Sequence, residues 1–93
     1  MKIIHKPNFS EQLKQILSYI AHDNPQASVR FKNGLKESIY LLPDNPYKYR
    51  QSIYFDSPHI RDMVYKKYTI IYRVKPIKKT IEVLRIFNQN KPH

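Results

Sequence analysis

The chain has no cysteine, no tryptophan and only one glycine in 93 residues. Without cysteine it can form neither a disulfide nor a thiolate zinc site, which is typical of a protein in a reducing compartment. None of its apolar runs approaches the roughly 18 residues that a membrane-spanning helix needs, and its N-terminus lacks the pattern of a secretory signal. We therefore expect a cytoplasmic protein that uses no metal or cofactor and does not bind membranes.

Acidic residues are also scarce. The chain has seven Asp and Glu residues and 17 Lys and Arg residues, which gives a net charge of +10. The excess is concentrated in residues 47–93, which carry eleven basic and three acidic side chains, against six and four in residues 1–46. This excess of positive charge has two interpretations. It only keeps the protein soluble, or it indicates an acidic partner, which would be nucleic acid, the ribosome or an acidic protein segment. At this length we expect one domain, residues 1–93, with a modest core.

The chain is predicted to begin with a strand and then a helix. Lys2–His5 contains a short apolar run, which Pro7 ends. Asn8 and Glu11 have the spacing of a capping box, which places the start of the helix at Asn8. This helix is predicted to end near His22, and its apolar residues recur on one face: Phe9, Leu13, Ile16, Leu17 and Ile20.

A second helix is predicted after Asn24, which can cap it while Pro25 takes the first helical position without losing a hydrogen bond. The single glycine, Gly34, lies inside this helix, where it costs about 0.5–1 kcal/mol relative to alanine. We expect a close approach of the two helices, as an antiparallel hairpin, to compensate for that cost. Pro43 ends the helix, whose apolar stripe is Ala27, Phe31, Leu35, Ile39 and Leu42.

Three strands are predicted in the second half, at about 60–66, 68–75 and 79–88. Neither connecting turn contains glycine, so neither matches the usual two-residue hairpin signal. Alternation on the middle strand turns Tyr68, Ile70, Tyr72 and Val74 towards the helices and makes Arg73 the clearest exposed cation. On the last strand, alternation places Arg85 on one face with Ile81, Val83 and Phe87, and it leaves open which face is buried.

The predicted fold class is α+β, in the order β-α-α-β-β-β, with a helix hairpin packed on a small, mainly antiparallel sheet. This layout and several motifs resemble the RelE/ParE superfamily, the toxin halves of bacterial type II toxin–antitoxin pairs. The motifs are the Asp23-Asn24-Pro25 break, Leu41-Leu42-Pro43, the string Tyr-Thr-Ile-Ile-Tyr-Arg-Val at 68–74, and Ile-Glu-Val-Leu-Arg-Ile-Phe at 81–87. They cover nearly the whole chain, and the break and the two strands are closer to the ParE-like branch.

The resemblance implies one of two activities, because RelE-like toxins cleave mRNA on the ribosome whereas ParE-like toxins inhibit DNA gyrase. Metal-independent RNA cleavage needs a base, an acid and cations held close together. Thr69 stands where RelE-like nucleases have an arginine, no tyrosine follows Tyr72, and Asn88 stands where many relatives have a histidine. A nuclease would then depend on Lys66, Lys67, Arg73 and Arg85 for charge, with His93 as a remote acid or base. Whether the protein is an enzyme stays open.

Gyrase inhibition requires only a binding surface. Its candidate contacts are Arg61, Lys66, Lys67, Arg73, Arg85 and Lys91, each of which could equally be a solvated cation. Arg61 and Arg85 are favoured among them, because arginines between apolar strand residues have a packing or pairing role. A basic nucleic-acid-binding module is a third possibility, since Tyr47–Arg50 and Tyr65–Tyr68 interleave aromatic and basic residues.

A cognate antitoxin is the partner that the resemblance implies most directly. A small basic domain with an apolar helix hairpin offers a groove for an acidic amphipathic segment that folds on binding. We expect the antitoxin to contact Leu13, Leu17, Phe31 and Phe87. Both a homodimer and a toxin–antitoxin hetero-oligomer are compatible with the sequence.

Overall fold

Two helices cover one side of a five-stranded sheet in the computed structural model, which describes residues 1–89. The strand order is β1-β5-β4-β3-β2, with β1 parallel to β5 and every other pair antiparallel. The predicted class and element order are confirmed, with one further short strand, β2. The elements are β1 (Lys2–His5), α1 (Pro7–Asp23), α2 (Pro25–Tyr40), a 3-10 turn (Leu42–Asp44), β2 (Arg50–Gln51), β3 (Ile60–Tyr65), β4 (Tyr68–Lys75) and β5 (Thr80–Asn88).

The two helices begin in different ways. The start of α1 at Asn8 was predicted wrongly, because Pro7 is already helical and the extended residue before it, Lys6, makes no side-chain capping bond. Proline fixes φ for the first helical position, so the helix starts one residue earlier. The start of α2 is confirmed, since Asn24 Oδ1 accepts a hydrogen bond from the Ala27 amide at 3.1 Å. Within residues 1–89, neither helix is long and apolar enough to cross a bilayer.

Gly34 permits contact between α2 and the sheet. A Cβ at this position would collide with the Tyr65 hydroxyl at the end of β3. The predicted helix–helix contact at Gly34 was therefore wrong, because an aromatic side chain from the sheet fills the space. The helices are joined elsewhere, where the buried Ser28 hydroxyl donates to the Leu17 carbonyl at 2.8 Å.

The core lies between the helices and the sheet. Phe9, Leu35 and Ile39 enter it from the helices and meet Ile70 and Tyr72 of β4, as the alternation of β4 predicted. Burial of each large apolar side chain contributes about 1.5–3 kcal/mol. Tyr72 also donates its hydroxyl to the Pro46 carbonyl at 2.6 Å, and burial raises its pKa strongly.

A β-bulge in β5 changes which side chains face the helices. Tyr72 pairs with Val83 and Ile71 pairs with Arg85, so Leu84 is an extra residue between them. The prediction that Arg85 shares a face with Ile81 and Val83 was therefore wrong, because a bulge breaks the period of two. Beyond the bulge, Ile86 joins the core, whereas Phe87 packs on the opposite side of the sheet.

Candidate functional site

The sheet face turned away from the helices, here called the outer face, carries a small apolar cluster. Ile60, Ile71 and Phe87 are buried together there, with Phe55 packed against them from the loop before β3. The ring of Tyr54 meets that of Phe87 edge-on at a centroid distance of 5.2 Å. The loop therefore covers part of this face. Phe87 is 6% exposed beneath it, and the antitoxin contact expected at this residue stays a prediction.

Asp62 fastens the loop over the outer face. Its Oδ2 accepts a hydrogen bond from the Ile53 amide at 3.1 Å and lies 3.5 Å from Arg50 Nη2. Its Oδ1 is buried and has no hydrogen-bond partner within residues 1–89. A buried acceptor without a partner costs about 1–3 kcal/mol, so the local packing has to offset that energy.

Arg73 and Lys75 share one carboxylate on the outer face. Arg73 Nη1 lies 3.1 Å from Glu82 Oε1, and Lys75 Nζ lies 3.2 Å from Glu82 Oε2. Burial tends to raise the pKa of the Glu82 carboxyl, but hydrogen bonds from Lys75 and Arg73 and the charges of Lys75 and Lys6 hold it below its usual value. The description of Arg73 as the clearest exposed cation needs correction, because its side chain is 40% exposed and ion-paired.

Arg61 organises the loop between the second helix and β3. Its Nε donates to the Pro58 carbonyl at 3.0 Å and its Nη1 to the Tyr49 carbonyl at 3.1 Å. The guanidinium also lies 4.9 Å from the ring centroid of Tyr47. These contacts support the packing role that made Arg61 a favoured candidate, and they use two of its five N–H donors.

His59 has a partner that the sequence analysis did not identify. The Tyr47 hydroxyl and His59 Nδ1 are 2.8 Å apart, although the two residues are 12 positions apart in the chain. No sequence motif joins them, because the contact depends on the path of the loop.

Lys66 and Lys67 form the exposed tip of the β3–β4 hairpin. The strands are connected by these two residues alone, and Lys66 has a φ of 55°. The absence of glycine therefore did not prevent a tight hairpin, because a lysine takes the left-handed conformation that such turns require. Tyr65 and Tyr68 flank the tip, and their rings pack edge-on against Phe31 at 5.3 and 5.2 Å.

The same packing bears on two earlier expectations. Phe31 is only 5% exposed, and the antitoxin contact expected at this residue stays a prediction. The tyrosines of the Tyr65–Tyr68 motif pack within the protein, as does Tyr47 of the Tyr47–Arg50 motif, so neither motif presents a row of unengaged rings for stacking bases.

The four cations proposed for a nuclease are not brought together. Arg73 and Arg85 line one cleft of about 320 Å³ on the outer face. Lys67 precedes Arg73 by six positions along an extended strand, a separation of about 20 Å at 3.4 Å per residue. Proton transfer and charge stabilisation at one phosphate need groups within hydrogen-bonding reach, which this spacing does not provide. Lys91 and His93 lie outside the described residues.

A second cleft lies next to the first and shares Arg73 with it. It has a volume of about 380 Å³ and is lined mainly by residues of the β4–β5 turn and by His59. Its cations are Arg73, Lys75 and Lys78. Among residues 1–89, no three histidine or acidic side chains converge as a metal site requires.

A groove of about 420 Å³ separates α1 from the edge of β5. It exists because β1 pairs with β5 only from Thr80 to Val83, so the later part of that edge faces α1. Gln12 Oε1 accepts a hydrogen bond from the Ile86 amide at 2.9 Å there, and Ile16 and Tyr19 line the groove. Leu13 and Leu17, the predicted antitoxin contacts on α1, are partly buried against the core.

The positions of these residues around α1 explain why Ile16 lines the groove whereas Leu13 and Leu17 pack against the core. Leu13, Leu17 and Ile16 all belong to the apolar stripe of α1, but Ile16 lies nearer to the edge of the sheet. Tyr19 is 72% exposed beside it and was not part of the predicted stripe. Their accessibility could be recognised only once the position of β5 was known.

Comparison with known proteins identifies related sequences and folds. The sequence model of a family described as the ParE toxin of the type II toxin-antitoxin system, parDE, matches residues 3–92. The chain is similar to a solved structure described as a chromosomal ParDE TA system from P. aeruginosa, with 19% identity, a TM-score of 0.73 and 95% of each chain covered. At that identity the likeness establishes a common fold. No curated protein matches the chain.

Proposed function

Because this chain belongs to the ParE toxin family of type II toxin–antitoxin systems, we propose that it inhibits DNA gyrase in the cytoplasm until a cognate antitoxin neutralises it. The observation that carries the choice of target is the dispersal of its cations. Arg73 and Arg85 share an outer-face cleft, while Lys66 and Lys67 lie at a hairpin tip about 20 Å away along the strand. A docking surface can use such an arrangement, whereas a compact catalytic site cannot.

The proposed target surface includes Arg73 and Arg85 on the outer face and the two lysines at the hairpin tip. The test is DNA supercoiling by purified gyrase, with and without the toxin. Loss of supercoiling that is reversed by the antitoxin is the expected result. If micromolar toxin leaves gyrase unaffected, the gyrase proposal fails, and the assay to make next is mRNA cleavage on translating ribosomes.

Single substitutions locate the surface. Arg73→Gln and Arg85→Gln should each weaken inhibition while the variants still fold and bind antitoxin. Lys32→Gln, on the exposed side of α2, removes the same charge and should leave inhibition unchanged. If both arginine variants inhibit as well as the parent protein, these residues do not belong to the target surface.

The proposed antitoxin site is the groove between α1 and the edge of β5. Its walls include Ile16, Tyr19, Ile86 and Phe87, which can receive the apolar side chains of an amphipathic segment. The net charge of +10 favours an acidic segment and speeds its association. Because apolar contacts should provide most of the affinity, the complex should persist in about 0.3 M salt, where exposed charges are screened within about 6 Å.

Tyr19→Ala tests the groove, with binding to the protein encoded next to the toxin gene as the readout. Truncation of a large exposed aromatic residue at the centre of an interface costs about 2 kcal/mol or more. Tyr40→Ala is the matched control, because Tyr40 is comparably exposed at the end of α2 and lies outside the groove. Equal losses in the two variants would exclude the groove as the antitoxin site.

A further inference from the structure

The cleft at the β4–β5 turn concentrates positive charge around a small space. We call it the turn cleft; it has a volume of about 380 Å³ and is lined by Ser57, His59, Arg73, Val74, Lys75, Pro76, Ile77 and Lys78. Three of these eight residues are cationic. Glu82 is the carboxylate paired with two of them, so the positive charges outnumber the negative one.

Glu82 positions its two cations and leaves them accessible. Arg73 and Lys75 are two positions apart on one strand, which sets their side chains on the same face about 7 Å apart. Each makes one ion pair with Glu82, and their side chains are 40% and 33% exposed. Both are therefore held at the rim of the cleft with donors directed to solvent.

The turn itself has an unusual tip. Ile77 is 97% exposed, between Pro76 and Lys78. Lys79 closes the turn with a φ of 50°, a conformation that non-glycine residues seldom adopt. The exposed pair Pro76 and Ile77, followed by two lysines at the end of a β-ribbon, resembles the apolar wedges with which proteins contact the grooves of DNA.

The charged track continues beyond the turn cleft. The neighbouring cleft of about 320 Å³ shares Arg73 and adds Lys6 and Arg85. The positive side chains thus follow one another across the outer face and are not confined to a single pocket. A track of this kind fits a partner with regularly repeated negative charge.

We propose that the turn cleft binds the phosphate backbone of duplex DNA, with Lys75, Lys78 and Arg73 on the phosphates and Ile77 against the groove. Duplex DNA carries one negative charge per roughly 1.7 Å of axis, a density that can draw Arg73 and Lys75 away from Glu82. One carboxylate of an acidic peptide would offer these two cations little more than the carboxylate they already have. The inference does not depend on gyrase being the target.

The test is fluorescence anisotropy of a labelled 20-base-pair duplex of arbitrary sequence, titrated with the full chain at several salt concentrations. For three to four phosphate contacts the slope of log K against log salt should be about −2.7 to −3.6. Lys78→Gln should reduce that slope by about one and weaken binding about eightfold at 0.1 M salt. Ile77→Ser should weaken binding several-fold and leave the slope unchanged.

Two controls make the result specific. Lys32→Gln removes one charge at an exposed position of α2 that does not line the turn cleft. If it weakens DNA binding as much as Lys78→Gln does, binding is diffuse and the proposal is wrong. If poly-glutamate of equal total charge displaces the labelled duplex as well as unlabelled DNA does, the cleft fits an acidic protein and the DNA assignment is overturned. Both substituted side chains of the turn are exposed, so the variants should keep the parent melting temperature.

Discussion

Replacing Gly34 by alanine tests how closely α2 approaches the sheet. In an exposed helix interior this change stabilises a protein by about 0.5–1 kcal/mol, because alanine loses less backbone entropy. At this site the new methyl group meets the Tyr65 hydroxyl, so the ring has to move. Overpacking of that kind costs about 1–3 kcal/mol, and we expect a net loss of about 0.5–2 kcal/mol.

The same substitution should have the opposite effect when Tyr65 is phenylalanine. Tyr65→Phe removes the hydroxyl but keeps the ring against Phe31. The nearest remaining ring atom, Cζ, would be 3.2 Å from the new Cβ, so a small shift of the ring suffices. Gly34→Ala should then be neutral or stabilise the protein by up to about 0.5 kcal/mol. The coupling between the two sites is thus expected to be about 1–2 kcal/mol.

Urea unfolding followed by circular dichroism measures all four proteins of this cycle, provided that each unfolds in two states. Asn33→Ala is the control, since it improves helix propensity at an exposed neighbouring position. It should stabilise both backgrounds equally. If Gly34→Ala changes the free energy of unfolding by the same amount with Tyr65 and with phenylalanine, the contact does not limit the packing of α2 and the argument is refuted.

Three further substitutions test local features. Ser28→Ala should lower the free energy of unfolding by about 1 kcal/mol in urea titrations, because it removes the buried hydrogen bond to the Leu17 carbonyl; no change would mean that the bond adds nothing. Lys66→Gly should raise the melting temperature, because glycine accepts a φ of 55° without strain. The relief of strain exceeds the entropy cost of glycine, and the net gain in the free energy of unfolding is about 0.5 kcal/mol. A lower melting temperature would contradict this. Burial, and then the charge of Lys36, lower the pKa of His5 in the folded protein. As pH falls, the unfolded chain therefore binds a proton at His5 before the folded protein does. The stability that neutral His5 contributes is present above pH 6.5 and is lost as pH falls through the folded pKa. His5→Gln should flatten the stability profile in that window, and an unchanged profile would exclude His5 as its cause.

Local patterns in the sequence were sufficient for most of the fold. The Asn24 cap involves residues three apart, and the alternation of β4 has a period of two, so both are visible in a single segment. The start of α1 shows where such local patterns fail. The apparent capping box predicted a start at Asn8, but the helix begins at Pro7, the residue type favoured at the first helical position.

The features that were missed depend on strand register and on the paths of loops. The bulge at Leu84 transfers Arg85 to the outer face, and alternation alone contains no sign of it. Glu82 lies opposite Arg73 only because of the pairing between β4 and β5. The groove beside Tyr19 likewise depends on where β1 stops covering β5. The candidate site was thus predicted as a set of residue types, while its grouping into clefts required the sheet.

The parallel pairing of β1 with β5 has a consequence for folding during synthesis on the ribosome. Lys2 pairs with Thr80, so β1 cannot pair until β5 has been synthesised. At 5–20 residues per second, synthesis of the intervening segment takes about 4–15 s. Closing a loop of that length also costs about 4 kcal/mol of chain entropy. Both outer-face clefts include residues that follow β4, so the surfaces proposed to act on other molecules cannot form before the chain has been synthesised beyond that strand.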